Sequence, residues 1–252
     1  MSTAANKPHS LLISDLHLCA ERKDIAHTFV QFCRGRASAA DALYVLGDLS
    51  DAWLGDDDDG EIATLLRNSL KQLADRGVDV FVMRGNRDFL LGSRFASDCG
   101  CQLLSDPSVI DFYGRQALLM HGDSLCTDDA DYMAFREQIQ NSTMRCELLA
   151  RPLEERRQIA ASLRAQSRSA NASKAEDIMD VNADAVSAAL SEHGVSQLIH
   201  GHTHRPASHA LTLPNGKRGK RHVLGDWDEK GWCIIADSEG FTLESFAILS
   251  AK

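Results

Sequence analysis

The stretch Ser10-Leu11-Leu12-Ile13-Ser14-Asp15-Leu16-His17 decides how the rest of the chain is read. A short apolar run bounded by serines reads as a buried strand. Asp15 and His17 follow it at once. The arrangement recurs four times. Residues 42–46 (A-L-Y-V-L) run into Gly47-Asp48, and 78–83 into Gly85-Asn86-Arg87-Asp88. Residues 117–120 run into His121-Gly122-Asp123, and 197–200 into Gly201-His202-Thr203-His204. Helical patterns lie between the first three runs. One spans 25–33. The other spans 61–75, with Ile62, Leu65, Leu66, Leu70 and Leu73 at 3.6-residue spacing and Gly77 as its stop. Strands are predicted again at 232–237 and 241–249, a closing hairpin turned by Ser238-Glu239-Gly240. Strand–helix alternation predicts an α/β layered core. In such sheets the ligand crevice lies beyond the carboxyl ends of the strands. Five polar clusters in that position are expected to converge on one site.

The middle of the chain departs from this pattern. Residues 127–190 carry little strand signal and are rich in Ala, Arg, Glu, Gln and Leu. Helices are predicted at 129–140, 144–149, 153–166 and 174–190. The expected organisation is a core of residues 1–126 and 191–252, interrupted by a helical cap at 127–190 over the mouth of the site.

The clustered side chains are Asp15, His17, Asp48, Asn86, His121, His202 and His204. Carboxylate, amide and imidazole ligands with no thiolate suit Mn²⁺, Fe²⁺ or Zn²⁺. Seven ligands exceed the needs of one ion and fit two ions roughly 3.5–4 Å apart that share a carboxylate and a water. Each fragment alone is weak, since a Gly-Asp after a strand is often only a turn. The ordered set carries the argument.

That ordered set, D-x-H, G-D, G-N-R-D, H and G-H-x-H, resembles the calcineurin-like metallophosphoesterases. The likeness runs from Asp15 to His204. It implies a two-sheet α/β sandwich with two Mn²⁺ ions at its edge. It also implies that Asp15, His17 and His204 hold one ion, that Asn86, His121 and His202 hold the other, and that Asp48 bridges them. Many members carry His where this chain has Arg87. An alkoxide leaving group needs a general acid, whereas a phosphate group with a second pKa of about 6 departs unaided. A planar guanidinium suits phosphate oxygens, so Arg87 favours diphosphate over alkyl-ester hydrolysis, unless it is a simple positional variant.

A sharper likeness is to the branch of that family that cleaves UDP-2,3-diacylglucosamine in bacterial lipid A synthesis. It rests on Gly85–Phe89 (G-N-R-D-F), Gly47-Asp48-Leu49 to Trp53, Gly55-Asp56-Asp57-Asp58, H-G-D at 121–123 and H-G-H-T-H-R-P at 200–206. Ser50-Asp51 stands where that branch often has Phe-Glu. The resemblance implies in-line attack on the α-phosphorus by a hydroxide bridging the ions, releasing UMP and 2,3-diacylglucosamine 1-phosphate (lipid X). It implies Asp48, Asn86, Arg87 and His202 as the catalytic group. It implies substrate contacts from Asn86, Arg87, Asp129, Ser167, Asn171, Lys174 and His202. Ser167, Asn171 and Lys174 fall at i, i+4, i+7, which places them on one face if the helix continues. Tyr132, Met133, Phe135, Ile139, Met144, Leu148, Leu149 and Leu153 either line an acyl chamber or form ordinary helix–helix core.

Composition narrows the partners. The net charge is −9, which argues against a nucleic-acid partner. Residues 145–174 nevertheless hold seven basic residues against three acidic ones. That run suits a phosphate-bearing ligand or an anionic membrane, or else is a solvated face of i,i+3 and i,i+4 ion pairs. Seven scattered cysteines without C-x-x-C read as reduced thiols in a cytosol. The polar start lacks a signal-peptide core, and no apolar run is long enough to span a bilayer. A cytoplasmic protein resting on the cytoplasmic face of the inner membrane is expected, with a lipid-linked UDP-sugar as substrate and no obligate protein partner. Lys217, Arg218, Lys220 and Arg221 flank a turn at Asn215-Gly216 and form a solvated hairpin tip or a membrane contact. The acidic run 56–59 reads as a solvated loop or as support for the metal ligands. His200 is expected in the core or behind the ligands. The rival readings are a soluble phosphodiesterase on the same scaffold, which turns over substrates without acyl chains, and a metal-free binding module, which lacks ligands.

Overall fold

The computed structural model describes residues 7–171 and 180–250, with backbone alone for 167–171. Two sheets stack face to face. The first has strand order β11–β10–β1–β2–β3–β4. In it β1 (Ser10–Ile13), β2 (Ala42–Leu46), β3 (Asp79–Met83) and β4 (Gln102–Leu104) run parallel. The hairpin of β10 (Lys230–Asp237) and β11 (Gly240–Ala247) adds antiparallel to β1. The second sheet has order β5–β6–β7–β9–β8. It comprises β5 (Ser108–Phe112), β6 (Arg115–Met120), β7 (Gln197–His200), β8 (Ala207–Thr212) and β9 (Arg218–Val223), and β6, β7 and β9 run parallel.

The two-residue period of a strand sets the layers. Leu11, Ile13, Leu43, Val45, Val80 and Val82 point outward to helices. These are α1 (Lys23–Arg34), α2 (Glu61–Ala74) and α3 (Ser93–Cys99). Leu12, Tyr44, Leu46 and Met83 point the other way and meet Phe112, Ala117, Leu119 and Ile199 of the second sheet. Leu118, Met120 and Leu198 face outward again, onto Val186 and Leu190 of α7 (Ala183–Glu192). Strands covered on both faces carry unbroken apolar runs, which is why β1, β2, β3, β6 and β7 were readable. Each fully buried side chain of this kind contributes about 1.5–3 kcal/mol.

The helical block between β6 and β7 begins with α4 (Ala130–Gln140), α5 (Ser142–Leu149) and α6 (Leu153–Asn171). Helix α6 runs five residues past the expected end at Gln166. The helix expected at 174–190 starts only at Ala183 over the described residues. Asn182 caps it there, its backbone extended and its side chain accepting from the amides of Asp184 and Ala185, so 180–182 stay outside the helix. Residues 174–179 lie outside the described residues.

Four strands and one helix escaped the sequence reading. β4 has three residues, and α3 shows only Phe95 and Cys99 as a buried i,i+4 pair. β5 is half exposed, and β8 and β9 form an edge hairpin rich in polar and charged residues. None has an apolar run to announce it.

The acidic run is only in part a solvated loop: Asp57 and Asp59 are exposed, while Asp56 and Asp58 are half-buried. Asp56 accepts from Trp53 Nε1 (3.1 Å), Gly92 N (3.0 Å) and Phe95 N (2.9 Å), and so caps α3 from a distant loop. Asp57 pairs with Arg156 of α6, and Asp58 accepts from Gly60 N (3.0 Å). Asp56→Ala leaves three donors unpaired and is expected to lower stability by about 2 kcal/mol, read as a lower urea midpoint at unchanged m-value.

Candidate metal centre

Because β1, β2 and β3 run parallel, as do β6 and β7, their carboxyl ends bring all five loops to one edge of the sandwich. The loops are stitched to one another. Asp15 N donates to Gly47 O (3.1 Å) and His17 N to Asp48 O (3.0 Å). Arg87 N donates to Asp48 Oδ1 (2.8 Å). Asp88 is fully buried and accepts from Leu49 N (2.8 Å) and Gly85 N (2.6 Å), joining the second and third loops. Gly201 N donates to His121 O (2.9 Å), and His202 N to Asp15 Oδ2 (2.9 Å).

The stitching holds side chains at backbone angles they seldom adopt. Asp15, His17, Asp48, His202 and His204 have φ of 55°, 46°, 53°, 66° and 55°. Among the described non-glycine residues only Tyr113 shares that sign. Each such residue costs on the order of 1–3 kcal/mol and persists where neighbours over-determine it. Two glycines make room. A Cβ on Gly85 would lie 2.1 Å from Asp48 Oδ1, and one on Gly47, at φ +91°, 2.6 Å from His121 Nδ1.

The seven predicted ligands come together as two groups. In the first, His17 Nε2 and His204 Nε2 are 3.1 Å apart, and His204 Nε2 lies 3.5 Å from Asp15 Oδ1. In the second, Asn86 Oδ1 lies 3.0 Å from both His121 Nε2 and His202 Nδ1. Asp48 stands between them. Its Oδ2 is 3.9 Å from His17 Nε2, and its Oδ1 is 3.8 Å from His121 Nε2.

The tautomers are set from behind. His121 Nδ1 donates to Leu46 O (2.9 Å), which turns its Nε2 lone pair to the site. His204 Nδ1 faces Asp226 Oδ2 at 3.4 Å, so its Nε2 also points inward. Ser14 Oγ donates to Asp15 Oδ2 (2.5 Å). The other oxygen, Asp15 Oδ1, is buried with no hydrogen-bond partner. A buried, unpaired carboxylate oxygen is costly unless a cation meets it. With nitrogen and oxygen donors only, the group fits divalent ions of intermediate character.

The electrostatics agree. Burial pushes the Asp48 carboxyl up to about 7, against the pull of His121 and with Asp88 and Asp15 reinforcing. Burial opposes charge on His121 and His204. Asp48, Asp123 and Asp15 nevertheless raise His121 to about 9, and the neighbouring carboxylates of Asp15 and Asp226 raise His204 to about 10. Burial lowers His17 and His202 to about 3. Without metal, the carboxylates draw protons onto two imidazoles.

Beside the second group lies a cavity of about 260 Å³. Asn86 and Arg87 form one part of its wall. Trp53, Phe89 and Leu90 of the core, and Tyr132, Phe135, Leu148, Ile159 and Leu163 of α4–α6, supply its larger apolar surfaces, and Asp51, Asp131, Arg156, Arg164 and Gln166 add polar groups. The apolar residues of the helical block are therefore divided between the two expected roles. Tyr132, Phe135 and Leu148 line the cavity, Ile139 is buried in the main core, Met144 packs against that core, and Leu149 is exposed.

The remaining candidates fall as follows. Asp129 caps α4, accepting from Tyr132 N (3.0 Å). Ser167 and Asn171 lie on α6, their side chains outside the description, and Lys174 is outside the described residues. His200 is buried, with Nδ1 donating to Gly201 O (2.8 Å). Much of the basic run is paired. Arg151 meets Glu155, Arg157 meets Glu154, Arg156 meets Asp57 and Arg164 meets Asp51. Asp226 was missed, because Gly225-Asp226-Trp227 follows no recognised cluster. None of the seven cysteines forms a disulfide.

Fold and site together define a phosphoesterase, and the chain belongs to the calcineurin-like phosphoesterase family, whose profile matches residues 9–206. Its relatives are more particular. The UDP-2,3-diacylglucosamine hydrolase of Cellvibrio japonicus (strain Ueda107) is 51% identical over 240 residues, covering 95% of this chain and 100% of its own. The protein of the same name from Pseudomonas paraeruginosa (strain DSM 24068 / PA7) is 49% identical over 238 residues, covering 94% and 99%.

Ligation requires neutral imidazole, and His121 and His204 hold protons until about 9 and about 10. Their raised values mean that protons compete at pH 7 and recede as pH rises. Mn²⁺ affinity of the metal-free protein is therefore expected to increase from pH 7 to 9, with proton release in calorimetric titrations.

Proposed function

We propose that this chain hydrolyses the diphosphate of UDP-2,3-diacylglucosamine to UMP and 2,3-diacylglucosamine 1-phosphate in lipid A biosynthesis. The observation that carries the reading is the cavity: its wall passes from Asn86 and Arg87 at the clustered ligands to Tyr132, Phe135, Leu148, Ile159 and Leu163 on the helical block, with Arg156 and Arg164 among them. That profile matches a substrate with a charged diphosphate and acyl chains. The relatives' shared name supports the same substrate.

Two divalent ions, Mn²⁺ by family resemblance, would be held by Asp15, His17 and His204 and by Asn86, His121 and His202, with Asp48 common to both. Bound there, they supply a water of lowered pKa and countercharge for the phosphoryl oxygens. Arg87 provides a fixed guanidinium beside Asn86 for the phosphate oxygens. His202 and Asn86 border the same position, so the attacked phosphate would sit among these three. Burial of Asp48 and Asp15 keeps bulk water from screening the charges. By family resemblance Asp129, Ser167, Asn171 and Lys174 would add further contacts to the same substrate.

A lipid substrate calls for a membrane surface, and we place the protein peripherally on the cytoplasmic face of the inner membrane. Among the described residues no helix is long and apolar enough to cross a bilayer. The β8–β9 tip with Lys217 and Arg218 is the wrong end for docking. β8 starts beside Val223, at the site, and ends at Thr212 opposite Arg218, at the far end of the strands. The helical block is the side that faces lipid.

The test is Mn²⁺-dependent release of UMP from UDP-2,3-diacylglucosamine, beside a UDP-sugar without acyl chains. Hydrolysis of the acylated substrate alone is expected. Equal turnover of both would remove the lipid assignment. Asp48→Ala is expected to lose both ions by elemental analysis, since both groups share that carboxylate. Arg87→Ala should lower kcat/KM by about 10–100-fold, the loss of one charge-assisted contact, and Arg87→Lys should recover only part of it.

A further inference from the structure

One buried carboxylate has no part in either ligand group or in the cavity wall: Asp123, the last residue of His121-Gly122-Asp123. We infer that Asp123 is a positioning residue that couples the helical block to one of the two ion sites, the site of Asn86, His121 and His202. The inference rests on the two-ion reading above.

Asp123 is 2% exposed and opens a short 3-10 turn, Asp123–Leu125, two residues after His121. Its Oδ2 accepts from Tyr132 Oη (3.1 Å) and from Arg136 Nε (2.9 Å). Tyr132 and Arg136 are an i,i+4 pair and so share one face of α4. One carboxylate oxygen therefore fixes both the distance and the rotation of α4 relative to the His121 loop. The consequence reaches the other imidazole of that site. The Tyr132 ring lies against His202, with centroids 5.3 Å apart and planes at 40°. His202 in turn packs edge-on to His121 at 5.1 Å. Tyr132 also forms part of the cavity wall. A single hub thus sets the plane of His202, the seat of His121 and the shape of the cavity beside Arg87.

The other ion site touches this hub only through the His202 backbone amide and the shared Asp48, and none of its own imidazoles meets Tyr132. Asp15 is held by Ser14 Oγ and His202 N, its carbonyl accepts from Trp227 N, and His204 faces Asp226. The coupling is therefore selective, and selectivity separates positioning from general support. A carboxylate that only docks α4 would affect stability and both sites alike. One that orients His121 and His202 acts on their ion alone, with the 10–100-fold loss of affinity typical of groups behind a ligand.

The experiment is calorimetric titration of the metal-free full chain with Mn²⁺ for wild type, Asp123→Asn, Tyr132→Phe, the double variant and Asp226→Asn. KM for UDP-2,3-diacylglucosamine is measured beside it. Tyr132→Phe keeps the ring and removes only the hydroxyl, so it serves if Asp123→Asn folds poorly. Asp123→Asn is expected to weaken one binding step by about 10–100-fold and leave the other unchanged. Tyr132→Phe should weaken the same step by less, and the double variant should match Asp123→Asn, because the hydroxyl acts through the carboxylate. Asp226→Asn should weaken the opposite step. KM should rise in Asp123→Asn and Tyr132→Phe. Equal weakening of both steps by Asp123→Asn, or unchanged affinities with only a lower urea midpoint, overturns the inference. A wild-type chain that binds fewer than two ions overturns the two-ion reading first, and this inference with it.

Discussion

Asp48 is the constraint on which the site depends. Its carboxylate is buried, close to two other buried aspartates, and lies between two groups of imidazoles. Nothing in an apolar sandwich favours such a grouping unless positive charge is supplied. The local backbone shows what holding it requires. Asp48 itself sits at positive φ, the chain beside it has no room for a side chain at Gly85, and Asp88 ties the second loop to the third. The two-sheet core provides the rigidity against which this strain is held, since every loop leaves a strand buried on both faces.

The helical block is fastened to that core by ion pairs as well as by apolar packing through Ile139, Val186 and Leu190. Arg156 meets Asp57 and the Leu54 carbonyl, Arg164 meets Asp51, and Arg136 meets Asp123. Helix α5 has no buried residue. Part of the apolar surface on α4 and α6 (Tyr132, Phe135, Ile159 and Leu163) lines the cavity, while Ile139 joins the core. The arrangement explains how a chain of net charge −9 comes to carry a basic stretch there. Arg156 and Arg164 answer the acidic loop after β2, and both line the cavity.

The legible parts share a physical reason. Strands covered on both faces are apolar throughout, and a ligand cluster placed after each is visible as a change from apolar to Asp, Asn and His. The illegible parts share one too. β5, β8 and β9 lie at or near sheet edges, where one face is solvated and charged residues such as Arg218 and Lys220 are tolerated. The acidic run 56–59 was in part misread because its partners, Gly92, Phe95 and Arg156, are 36 to 99 residues away. Asp226 and Asp123 belong to the same class, since a carboxylate that serves another residue's side chain has no local pattern.

By itself the sequence determined the layered α/β class, the set of seven ligand-type residues and the presence of a helical insertion, because each is written in local order: apolar period, residue type, strand end. Tertiary structure gave the two groups about Asp48, which the family resemblance implied, their actual distances. It also decided which apolar residues of the insertion face a cavity, and which carboxylates stand behind the imidazoles. Those outcomes depend on contacts between segments far apart in the chain, and only the stacking of two sheets brings such segments within hydrogen-bonding distance.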